Sequence, residues 1–152
     1  MSPIEEIRSI CQHISQQLGV GHSEKVYQEA LAAELRLRDY TVELERVVPI
    51  MYSLANGPDV CVGYARLDLL VRKPNHPPTV IELKAAASLS AASLRAQIQV
   101  YLKALRSQYP NITGIGVQFM QPGTKDVPLN ERVHVIEADD MPELIEAITL
   151  NV

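Results

Sequence analysis

Two cysteines, Cys11 and Cys61, are all that 152 residues contain, and their spacing matches no metal-binding pattern. That excludes a disulfide framework and points to free thiols in a reducing compartment. No run approaches the roughly 18–20 consecutive apolar residues that a membrane-spanning helix needs. The N-terminus, Ser2-Pro3-Ile4-Glu5-Glu6, is acidic where an export signal would be basic ahead of an apolar stretch. A cytoplasmic protein with no membrane partner is expected. Repeats and low-complexity tracts are absent, and the chain has the length of one domain, expected over residues 1–152.

Excess positive charge is missing as well. The net charge is −4, which taken whole argues against a non-specific nucleic-acid binder. Its distribution is uneven. From Arg66 to Arg106 seven basic residues face only Asp68 and Glu82, whereas from Asp126 onward seven acids face Arg132 alone. The middle third is the cationic part, with Arg66, Arg95 and Lys103 as candidate nucleic-acid contacts; charge scattered over a solvated surface is the plain alternative.

The hydrophobic pattern gives an α/β order. Ser2 with Glu5 fits a capping box and Pro3 the first helical position, followed by Ile4, Ile7, Cys11, Ile14 and Leu18 at helical spacing. The spacing predicts a second helix from about His22 to Arg38. Thr41 to Leu54 reads as one or two strands interrupted at Pro49. After the turn Asn56-Gly57-Pro58-Asp59, Val60 to Val71 reads as the returning strand of a hairpin. Thr79 to Lys84 is a short strand. Ser88 or Ser90 would cap a long helix to about Gln108. Strands near Ile115–Met120 and Arg132–Ile136 follow, then a short helix opened by Asp140 and Glu143. The order ααβββαββα implies one crossover helix between parallel strands.

Chemistry concentrates in the middle of that order. Alternation puts Glu82 and Lys84 on one face of their strand and Arg66, Asp68 and Leu70 on one face of the preceding strand. If the two strands pair, Asp68 meets Glu82. Two crowded carboxylates repel unless protonated or neutralised by a cation, and a hard ion such as Mg²⁺ accepts two carboxylates plus a carbonyl and waters. Lys84 would then place a positive charge beside an attacking water or a phosphate. A Glu-x-Lys on a strand is often only a solvated charge pattern, but Val80 shares the face of Glu82, so this strand reads as covered on both sides. Glu24 falls on the inward stripe of the second helix with Tyr27 and Leu31, although a carboxylate at a helix start also satisfies the dipole. Gln97 and Tyr101, four apart, face the sheet from the crossover helix; a core tyrosine beside a stray glutamine is the alternative.

From about residue 19 to residue 120 the sequence resembles the GxxExxY proteins, a branch of the PD-(D/E)XK nuclease superfamily. The resemblance lies in Gly21-His22-Ser23-Glu24-Lys25-Val26-Tyr27, Gln28-Glu29-Ala30-Leu31, Glu34-Leu35, Glu45, Val48-Pro49-Ile50-Met51-Tyr52, Arg66-Leu67-Asp68-Leu69-Leu70-Val71, Ile81-Glu82-Leu83-Lys84-Ala85 and Gln97-x-x-x-Tyr101-Leu102. It implies a central mixed β-sheet flanked by α-helices. Asp68, Glu82 and the Leu83 backbone carbonyl would be metal ligands, with Lys84 as the catalytic lysine. Glu24 would assist the metal or its waters, and Gln97 and Tyr101 match the Gln-x-x-x-Tyr motif of RecB-type nucleases. The implied activity is Mg²⁺- or Mn²⁺-dependent hydrolysis of nucleic acid, DNA ahead of RNA. Departures are Leu67 where the superfamily's name has proline, expanded segments at 56–62 and 74–78, and Val117-Gln118-Phe119-Met120 where Asn-Phe-Gly is expected. The competing class is a non-catalytic nucleic-acid-binding or assembly protein retaining the fold, for which a homodimer is one form.

Overall fold

In the computed structural model the described residues are 2–86, 91–120 and 133–137. Helix α1 (Pro3–Leu18) opens as expected: the Ser2 hydroxyl accepts from the Glu5 N–H, and the Glu5 carboxylate accepts from the Ser2 N–H. It ends at Gly19, whose φ of 73° is easy only for glycine. The Gly19 carbonyl accepts the Tyr27 hydroxyl at 2.7 Å, which fixes the corner into α2 (Glu24–Leu37). α2 begins two residues later than its periodicity suggests, because Ser23 is extended and serves as the N-cap. Tyr27 stacks on Phe119 with ring centroids 4.2 Å apart.

Seven strands follow: β1 (Thr41–Leu44), β2 (Val47–Ser53), β3 (Asp59–Arg66), β4 (Leu69–Arg72), β5 (Thr79–Ala86), β6 (Thr113–Met120) and β7 (Val133–Glu137), with α3 (Ala91–Leu105) between β5 and β6. A five-stranded sheet has the order β1-β4-β5-β6-β7, while β2 and β3 pair separately. β5 and β6 are parallel and joined by α3, as the crossover pattern required. One face of the sheet packs on α1 and α2 through Leu69, Ile81, Leu83 and Val117, with Ile10, Leu31 and Leu35 from the helices. The opposite face packs on α3 through Leu70 and Val80, with Leu94, Ile98 and Leu102. Val80 to Leu83 are buried throughout, so β5 is covered on both sides.

Two interruptions of the strands fall elsewhere than expected. Pro49 lies inside β2, opposite Tyr64, and does not break it; β2 has a strand neighbour on one side only, where a missing N–H is tolerated. The break falls instead at Glu45, whose φ of 53° is left-handed. Likewise 60–71 is not one straight strand but β3 and β4, separated at Leu67-Asp68. The two changes are one event. Leu44 faces Leu69 and Val47 faces Arg66, and between them the Glu45 N–H donates to the Asp68 carbonyl (2.9 Å) and the Leu67 N–H to the Arg46 carbonyl (3.0 Å). β1–β2 and β3–β4 are therefore a single long hairpin that bends out of the main sheet at Glu45 and Asp68. Its outer half packs on α3 through Val48 and Ala65.

The caps expected at Ser88 or Ser90 and the final helix from Asp140 lie outside the described residues. Among the described residues no helix is long and apolar enough to cross a membrane.

Gly116 decides how closely α3 approaches the sheet. A Cβ there would sit 2.6 Å from Leu94 Cδ2 and 3.3 Å from Ile98 Cδ1. Both leucine and isoleucine are fully buried, so neither can swing away. Gly116→Ala should lower stability by about 1–3 kcal/mol through overpacking, seen as a lower urea midpoint with unchanged m-value. An unaltered midpoint would mean that α3 is not seated on Gly116.

Candidate active site

The bend creates the site. β4 pairs with β5 through Leu69–Ile81, Leu70–Val80 and Val71–Thr79, and the register extended by one residue sets Asp68 opposite Glu82. There the neighbouring chain turns away, and β5 continues from Glu82 to Ala86 with no strand on that side among the described residues. Its N–H groups still need acceptors. The Leu83 N–H finds the Asp68 carboxylate at 2.7 Å, and the Ala85 N–H finds the Glu24 carboxylate at 3.2 Å. Reciprocally, the Glu82 carboxylate accepts the Asp68 N–H at 3.0 Å. Side chains thus replace the missing rungs. A strand residue's N–H and C=O leave on the same side, so the Leu83 carbonyl also opens into this gap.

Glu82 is anchored from α3. The Tyr101 hydroxyl lies 2.9 Å from Glu82 Oε2 and 3.1 Å from the Arg66 carbonyl, so its single proton has two acceptors in range. Gln97 donates its amide N–H to the same hydroxyl at 3.1 Å. Gln97, Tyr101, Glu82 and the end of β3 are one connected chain of hydrogen bonds.

Electrostatics follow from this burial. Glu82 is 3% exposed. Desolvation, and then the charge of Asp68, push its pKa from 4.5 up to about 8. Asp68 is raised too, first by burial and also by the charge of Glu24, against the pull of the Leu83 N–H and of Lys84. Burial and the Glu82 charge also hold the Tyr101 hydroxyl protonated well beyond its ordinary range. Near neutral pH the isolated pair therefore keeps a proton that a cation would displace.

The structure brings together Asp68, Glu82, the Leu83 carbonyl, Gln97 and Tyr101. Lys84 is two residues on along β5, half-buried, and close enough for its charge to stabilise ionised Asp68. Among the described residues no ion pair holds it. Glu24, expected on an inward stripe, is exposed at the start of α2 and touches the site through the Ala85 N–H. Arg66 is exposed at the end of β3. Arg95 donates to the Glu137 carbonyl at 3.2 Å, and Lys103 is exposed near the far end of α3; neither is part of the carboxylate cluster. One polar residue escaped the sequence reading as a site residue. Gln118 is fully buried, sits in register with Lys84, and donates to the Ala86 carbonyl at 3.4 Å. Its signal was an amide in the middle of the apolar strand Ile115–Met120.

The donor set fits a small hard cation in a restricted way. Among the described residues no three His, Cys, Asp or Glu side chains converge on one point, so two carboxylates and a carbonyl are what the protein offers, with Glu24 at the rim. Mg²⁺ commonly binds through one or two carboxylates and keeps several waters, and the raised proton affinities mark a pair short of positive charge.

A family model described as the PD-(D/E)XK nuclease superfamily matches residues 2–126. No curated protein matches the chain. Among solved structures, one described as "Crystal structure of SSO0001" is similar at 16% identity and a TM-score of 0.44, over 96% of this chain and 72% of that one.

The raised Glu82 pKa has a defined consequence in metal-free buffer. Below pH 4.5 the group is protonated folded or unfolded, and the stabilisation is fully present. As pH rises toward about 8 the unfolded chain releases the proton first, so stability is lost across that window. Glu82→Gln removes the titration and keeps the acceptor for the Asp68 N–H. In EDTA the melting temperature of the wild type should fall relative to the variant between pH 5 and pH 8. A constant difference between the two would rule out the shifted carboxyl.

Proposed function

Because the chain belongs to the PD-(D/E)XK nuclease superfamily, we propose that it hydrolyses phosphodiester bonds of nucleic acid, DNA ahead of RNA, with the help of Mg²⁺ or Mn²⁺. The observation that carries this reading is the Asp68–Glu82 pair. Two carboxylates face each other across a break in the sheet, on a strand covered on both sides, and Glu82 there holds its proton up to about pH 8. A structural ion-pair cluster would have closed them with a cationic side chain.

Asp68, Glu82 and the Leu83 carbonyl would hold the ion. When bound, such an ion supplies Lewis acidity at the scissile phosphate and lowers the pKa of neighbouring water. The rest is done by the protein's own groups. Tyr101, supported by Gln97, fixes the orientation of Glu82. The Leu83 N–H turns one oxygen of Asp68 toward β5. Lys84 orients the attacking water and faces the negative charge that builds on the phosphate oxygens. Glu24 at the rim would accept from a water on the same side.

The test is incubation of the purified protein with single- and double-stranded DNA and RNA in Mn²⁺, Mg²⁺ or EDTA. Cleavage should require the metal. Lys84→Met keeps the aliphatic stem, so fold and Mn²⁺ binding should survive while turnover falls about 10²–10³-fold. A non-catalytic binding protein would cleave nothing in either form.

Metal binding has its own readout. Mn²⁺ at about 100 times its dissociation constant should stabilise the wild type by roughly 2.7 kcal/mol. Asp68→Asn and Glu82→Gln should melt higher than wild type in EDTA and lose that response. An equal Mn²⁺ response in both variants would move the ion elsewhere.

A further inference from the structure

The outer half of the long hairpin carries an apolar face that nothing among the described residues covers. Val48 is buried and Ala65 packs on the α3 side, so alternation turns their neighbours outward. Across the ladder Val47 faces Arg66 and Pro49 faces Tyr64. Tyr64 is 72% exposed, Val47 54% and Val62, where the register shifts, 62%. Large exposed apolar side chains grouped on one strand pair mark an interaction surface.

Its chemistry and its place select the occupant. An aromatic ring open to solvent with an arginine two residues away on the same face suits a base stacked above a bound phosphate. The only acid on β2 or β3 is Asp59, at the far tip, and it accepts the Ser53 hydroxyl at 2.6 Å. The face therefore presents a positive charge and no carboxylate. Its backbone leads straight into the candidate active site: Arg66 lends its carbonyl to Tyr101 and stands two residues before Asp68. Tyr64 lies four residues, about 13 Å along the chain, from Asp68, within the reach of a few nucleotides of one strand. A duplex turns phosphates outward and offers a base face only at its ends, so an exposed tyrosine beside apolar neighbours matches unpaired bases.

Resting on the nuclease reading, we propose that the outer face of the β2–β3 hairpin, with Tyr64 and Arg66 at its centre, is a stacking platform for unpaired bases. The substrate is then a nucleic acid carrying single-stranded nucleotides beside the bond that is cut.

The test uses fluorescein-labelled 20-mers, single-stranded DNA or RNA and a blunt DNA duplex, followed by fluorescence anisotropy in metal-free buffer, with sedimentation of the same samples. Tyr64→Ala should weaken single-strand binding about 5- to 150-fold, the worth of one stacked base, and change duplex binding less than about 2-fold. Tyr64→Phe should restore it. The mass of the protein should not change, and thermal melts should show an intact fold, since the side chain is exposed. Unaltered single-strand affinity in Tyr64→Ala, equal losses on the duplex, no binding of any oligonucleotide, or a dimer that the substitution dissociates would each overturn the proposal. Hydrolysis is read separately. Tyr64-dependent binding without metal-dependent cleavage leaves the platform standing and removes the nuclease, whereas cleavage indifferent to Tyr64 does the reverse.

Discussion

Everything at the candidate site depends on a hairpin that bends where a sheet would ordinarily continue. Glu45 in a left-handed conformation turns β2 out of the plane, and Asp68 opposite it turns β3. β5 is thereby left with N–H groups that no strand can accept, in a place too buried to leave them bare. Carboxylates are the answer the sequence supplies, from Asp68 on the departing strand and from Glu24 on α2. The same break that demands acceptors also leaves the Leu83 carbonyl facing the gap. Fold and donor set thus have one cause, and the carboxylates sit where the backbone runs out of partners.

That arrangement is costly to the fold. Desolvating two carboxylates beside each other destabilises whichever form carries two charges, and burial with the charge of Asp68 pushes Glu82 up accordingly. A fold selected for stability alone would put a hydrophobic pair at positions 68 and 82, since both face the apolar α3 side with Leu70 and Val80. Retaining acids there, and adding Tyr101 and Gln97 to orient one of them, makes sense where a cation is to be bound.

The sequence revealed the site through period-two alternation and the oddity of charge on a doubly covered strand. That placed Asp68 opposite Glu82, put Tyr101 toward the sheet and gave parallel β5 and β6. It did not reveal the bend. Pro49 was the visible breaker, yet an edge-lying strand absorbs a proline, whereas the left-handed Glu45 has no signature in residue type. For the same reason Val60–Val71 read as one strand: its register with the partner strand is unbroken through the turn, so the hydrophobic pattern continues across it. Glu24 was placed inward by helical spacing, but being the first residue of α2 it lies beyond the buried stripe and reaches β5 only with its carboxylate. Gln118 was seen as a departure in sequence and became a feature of the site only once parallel pairing put it beside Lys84.

The acidic balance of the chain also takes on a different meaning once the fold is known. A net charge of −4 counts against binding a polyanion only if the charge is spread evenly. Here two of the central acids, Asp68 and Glu82, are turned into the gap beside β5, where a divalent ion would cancel them. Arg66 and the exposed Tyr64 stand on the adjoining face, and α3 ties the two regions together, its Tyr101 hydroxyl shared between Glu82 and the Arg66 carbonyl. The end of the hairpin and Glu82 are thus joined through a single hydrogen-bonded residue of α3.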